Sequence, residues 1–103
     1  MYKRQLTNLA WLLATSHDAS VRNGLKAVEL AKQADQMAGG TNTVVLRTLA
    51  AAYAENGEFA NAISTAQSAM QLTRMHGEDA LTMDLDQQIA LYQLGMPYRD
   101  TAK

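Results

Sequence analysis

Two alanine triplets with the same internal spacing constrain this chain more than any other feature. Ala27, Ala31 and Ala34 recur as Ala62, Ala66 and Ala69, about 35 residues further on. Positions three and four apart share one face of a helix, so each triplet makes a strip of small side chains. Leu9-Ala10 ahead of the first triplet is matched by Leu49-Ala50 ahead of the second. Two helices repeated in this way form a stack, and a stack builds an extended binding surface rather than a catalytic pocket.

The composition agrees. Hydrophobic residues make up 48% of the 103 residues but aromatics only 6%, so alanine and leucine carry the apolar content. Both are strong helix formers, and small residues let helices approach closely. The one proline, Pro97, lies near the end and leaves the preceding chain open to long helices. The length suits one domain, spanning 1–103.

Punctuation and periodicity predict five helices. The first runs from about Lys3 to Thr15, with Leu6, Leu9, Ala10 and Leu13 as its buried stripe, and Ser16-His17-Asp18 ends it. The second starts at Asn23-Gly24, with Asn23 as N-cap, buries Ala27, Leu30, Ala31, Ala34 and Met37, and stops at Gly39-Gly40. Asn42 or Thr43 caps the third, which ends before Gly57 with Leu46, Leu49, Ala50 and Tyr53 inward. The fourth spans about Glu58 to Arg74, and the short connection forces an antiparallel hairpin. The fifth runs from about Glu78 to Leu94 and presents Leu81, Leu85, Ile89 and Tyr92. The expected fold is therefore all-α: hairpin one over about 3–38, hairpin two over about 42–75, and a capping helix over about 78–95. A hairpin cannot bury both its faces alone; stacking buries a common core, and the last helix covers the end.

The charge balance, nine Lys and Arg against ten Asp and Glu, argues against a nucleic-acid surface, which needs a basic excess. No apolar run is long enough to span a membrane, and Leu9 to Ala14 lacks the flanks of a signal peptide. A soluble chain is expected, and the absence of cysteine leaves the compartment open, with cytoplasm favoured over periplasm. His17 and His76 lie in separate turns, without the partners a metal site needs. Asp84 and Asp86 lack the glycine and glutamate of a calcium loop. Gly39-Gly40 has no following Lys-Ser/Thr, and no serine sits in a nucleophile elbow. No catalytic residue, metal or cofactor is expected.

The run Leu46, Leu49-Ala50, Tyr53, Gly57, Ala62 and Ala69 resembles a tetratricopeptide repeat. It departs from the family at Ala66, where an aromatic is usual, and at Arg74, near the usual closing proline. The first hairpin matches through Leu9-Ala10 and Ala27, Ala31, Ala34, with Leu13 at the tyrosine position. With the ending Ala90–Arg99, most of the chain resembles a bacterial subgroup in which such a unit closes the C-terminus of a larger protein.

The resemblance implies a groove lined by the first helix of each hairpin. It offers Arg4, Thr7, Trp11 and Ala14 from one, and Val44, Arg47, Ala51, Ala54 and Glu55 from the other. A protein or peptide partner is then expected, with Trp11 as an aromatic anchor, Arg47 pairing a carboxylate, and Ala51 and Ala54 leaving room for backbone. The alternatives are core packing for Trp11 and simple solvent exposure for Arg47. Thr7, Trp11 and Thr48 stand where the family's carboxylate clamp has lysine and asparagine, which weighs against gripping a chaperone's C-terminus. The competing expectation is structural: a homodimer, or the end-cap of a longer array.

Overall fold

The structure, a computed structural model, describes residues 2–100. The described residues form five helices: α1 Tyr2–Thr15, α2 Gly24–Ala38, α3 Thr43–Glu55, α4 Phe59–His76 and α5 Asp79–Gln93. α1 packs on α2, α2 on α3, α3 on α4 and α4 on α5, and α3 also touches α1 and α5. The chain is thus two helical hairpins with a fifth helix against the second.

All six alanines of the two triplets are completely buried. They are the close-contact positions of α2 and α4, as the repeated spacing predicts. The caps follow the sequence as well. The Asn23 Oδ1 accepts from the Lys26 N–H at 3.1 Å, and the Asn42 Oδ1 accepts from the N–H groups of Val44 and Val45 at 3.0 and 3.1 Å. Each satisfies helix N–H groups that have no partner within the helix. Gly39 closes α2 at φ 72°, a left-handed conformation that costs glycine nothing.

Two clusters make up the core. One joins α1, α2 and the near side of α3, around Leu6, Val28, Leu30, Val45 and Leu49. The other joins the far side of α3 to α4 and α5, around Leu46, Met70, Leu85, Ile89 and Tyr92. Tyr53 packs against both, so α3 is the shared wall. A polar link ties the last two helices: the Thr82 hydroxyl donates to that of the buried Thr73 at 2.6 Å, and Thr73 donates to the Met70 carbonyl.

Some expectations need correction. Leu9 and Met37, which periodicity places in the buried stripes, are 46% and 53% exposed. Each lies toward the margin of its stripe, on a side that no neighbouring described helix covers. α4 extends two residues past Arg74, to His76, where Gly77 in the left-handed region stops it.

Candidate functional site

A cleft of about 640 Å³ opens between α1 and α3. Thr7, Trp11 and Leu12 form one wall, Val44, Arg47 and Thr48 the other. A smaller cleft of about 350 Å³ adjoins it at Thr7, Asn8 and Val44 and extends past Lys3, Arg4 and Asn42. The two make one trough along the first helices of both hairpins, basic at the α1 N-terminal end.

The walls are more apolar than their composition suggests. Thr7 donates its hydroxyl to the Lys3 carbonyl at 2.8 Å, Thr15 to Trp11 at 2.7 Å, and Thr48 to Val44 at 2.9 Å. Each hydroxyl bonds the carbonyl one turn back, which satisfies it within its own helix. Arg47 crosses the cleft, its guanidinium over the Trp11 ring. Its Nε is buried and has no hydrogen-bond partner.

Of the residues expected to meet a partner, Thr7, Trp11, Val44 and Arg47 line the main cleft, and Arg4 lines its extension. Ala51 and Ala54 are each 1% exposed and belong to the core clusters, as does the fully buried Ala14. Glu55 is engaged within the chain: its carboxylate stands 3.4 Å from the Arg22 Nε and 2.7 Å from the Arg99 Nη1.

Sequence reasoning missed the segment that follows α5. After the turn at Gly95 and Pro97 the chain runs back to α1. There Tyr98 stacks obliquely on Trp11, with ring centres 5.6 Å apart. The indole Nε1 of Trp11 donates to the Asp100 carboxylate at 2.7 Å. The Asp100 N–H donates to the Thr15 carbonyl at 2.8 Å, in a short parallel pairing with Ser16. Trp11 is half-buried against the chain's own residues and also lines the cleft. The one signal in the sequence was an aromatic, a cation and an acid in succession beyond a helix stop.

The α1–α2 loop that frames this end is ordered by its own side chains. Asp18 accepts from the Ser20 hydroxyl and N–H, at 2.7 and 3.0 Å, and these bonds hold its carboxyl below the usual range. Arg22 donates to the Ser16 carbonyl at 2.8 Å. Among the described residues, no group of three or more His, Asp or Glu is placed to hold a metal ion, and no helix is long and apolar enough to cross a membrane. Comparisons with protein-family models, curated proteins and solved structures return no match to this chain.

Proposed function

We propose that this chain is a non-enzymatic interaction module of the tetratricopeptide kind, which binds an extended peptide of a partner protein in the α1–α3 cleft. The supporting observation is the cleft itself: a continuous trough whose hydroxyls are internally satisfied, with apolar Leu12 and Val44 on opposite walls. Such a surface gains by burying apolar side chains, while Arg47 supplies a fixed, charged donor for orientation.

The test is selection of binders from a random peptide library, followed by titration against Val44→Arg, which fills the cleft from a half-exposed position. Selected peptides should lose about tenfold or more in affinity for the variant, a loss of about 1.4 kcal/mol. Equal affinity for both proteins places binding elsewhere and rejects the assignment.

Self-association is the second reading. Tyr2 and Leu9 on α1 are 61% and 46% exposed and leave an apolar edge that a second copy would cover. Light scattering across a concentration range distinguishes the two, since a monomer at all concentrations excludes it.

A further inference from the structure

The segment Tyr98–Asp100 occupies α1 as a bound peptide would. Its main chain pairs with Ser16, and its N–H reaches the Thr15 carbonyl at 2.8 Å. That carbonyl lies in the last turn of α1, where the helix provides no donor of its own. Side chains then read three different chemistries. Tyr98 stacks on the Trp11 ring, Arg99 meets Glu55, and the Asp100 carboxylate takes the indole N–H. Main-chain pairing with alternating side-chain contacts is how extended peptides are recognised by exposed backbone.

We propose that this seat is a recognition site for an extended segment of another protein carrying an aromatic, a basic and an acidic residue in that order. Residues 98–100 are its resident occupant. The inference rests on the peptide-binding reading of the cleft and adds the chemistry of the ligand. Each seat has a complementary group: Glu55, which also meets Arg22, for the cation, the Trp11 N–H for the carboxylate, and the Trp11 ring, which Arg47 also overlies, for the aromatic. The seat opens directly into the cleft, because Trp11, Thr15, Ser16 and Asp100 all line it. A partner peptide that displaces the resident segment therefore gains further contacts along Leu12 and Val44. The tail of a second copy gains none, since exchange leaves every seat filled as before.

Trp11 is the only tryptophan, so its emission reports the seat. The experiment removes the charged contacts of the resident segment in the whole chain with Arg99→Ala and Asp100→Ala together, and separately with Asp100→Ala alone, leaving Tyr98 as the weakened occupant that the peptide displaces. The single change alters no helical residue and removes only the carboxylate that meets Trp11, which keeps the test usable if the double variant unfolds. A blocked pentapeptide with the sequence of residues 96–100, Met-Pro-Tyr-Arg-Asp, is titrated against each protein. A control peptide exchanges its last two residues.

In these variants the pentapeptide should saturate and reverse the change in Trp11 emission, and the control should bind about tenfold more weakly. The unaltered chain should require about tenfold more peptide or worse, because the tethered segment competes at an effective concentration on the order of millimolar. Absence of saturation at several times that concentration overturns the proposal, and so does equal binding of the control. A dimer of the unaltered chain that Asp100→Ala abolishes would mean tail exchange between copies, and also overturns it. Library peptides that still bind the cleft after such a result would leave the broader reading standing.

Discussion

The Arg47 guanidinium lies over the indole of Trp11, its central carbon 4.1 Å from the ring centre, and so joins α3 to α1 across the open side of the molecule. A cation held against an aromatic face and partly withdrawn from water contributes about 1 kcal/mol or more. Arg47→Ala should therefore lower stability by about 1–2 kcal/mol. Arg47→Lys should lose part of this, because an ammonium does not stack as a planar guanidinium does. Urea unfolding followed by Trp11 emission measures both.

Tyr92 gives an alkaline limb to stability. Burial raises its phenol above the ordinary value of 10.0, with Arg47 opposing and Tyr98 reinforcing the shift. Above pH 10 the unfolded chain releases this proton while the folded chain keeps it. The native state then binds more protons than the unfolded one, so stability falls as pH rises past about 10 and is unaffected below. The hydroxyl is also buried without a hydrogen-bond partner. Tyr92→Phe should remove its share of the alkaline fall and stabilise the chain at neutral pH by about 1 kcal/mol. Urea melts at pH 7 and pH 11 test both parts.

Glu55 holds Arg22 and Arg99 together, with only 15% of its side chain exposed. Glu55→Gln leaves two partly buried cations facing each other and should cost about 1–2 kcal/mol. If the Arg99 contact is a main source of that cost, Arg99→Ala in the Glu55→Gln background should be nearly neutral. A double-mutant cycle gives the coupling, expected at about 1 kcal/mol.

Gly24 begins α2 against the end of α3. A Cβ at this position would stand 2.8 Å from the Asn56 nitrogen and 2.9 Å from the Glu55 carbonyl carbon, both backbone atoms. Alanine normally favours a helix over glycine by about 1 kcal/mol. Here Gly24→Ala should instead destabilise by about 1–3 kcal/mol, because the hairpins must move apart. Thermal melts of Gly24→Ala and of an alanine substitution at an exposed α2 position, Gln33→Ala, would show opposite signs or nearly so.

Much of this architecture was legible because helices advertise themselves locally. The alanine triplets, the asparagines at positions 23 and 42 and the glycine pair after Ala38 act within a few residues of where they stand. Stripe margins are different. Whether Leu9 and Met37 are covered depends on which helix lies alongside, and periodicity does not specify that neighbour. The cleft was half legible. The resemblance implied Thr7, Trp11, Val44 and Arg47 as groove residues and they line the cleft, whereas Ala51, Ala54 and Glu55 are taken by the core and by Arg22 and Arg99. The return of the tail carries no periodicity at all, and its Trp11–Asp100 bond spans 89 positions.

That span also has a meaning in time. Every helix pair in the fold joins neighbours in sequence or next-but-one neighbours, so the hairpins can assemble one after another as the chain leaves the ribosome. Trp11 must wait for Asp100. At about 5–20 residues per second the delay is on the order of ten seconds. During that interval the Trp11 indole of each new molecule has not yet met the acceptor that will later hold it.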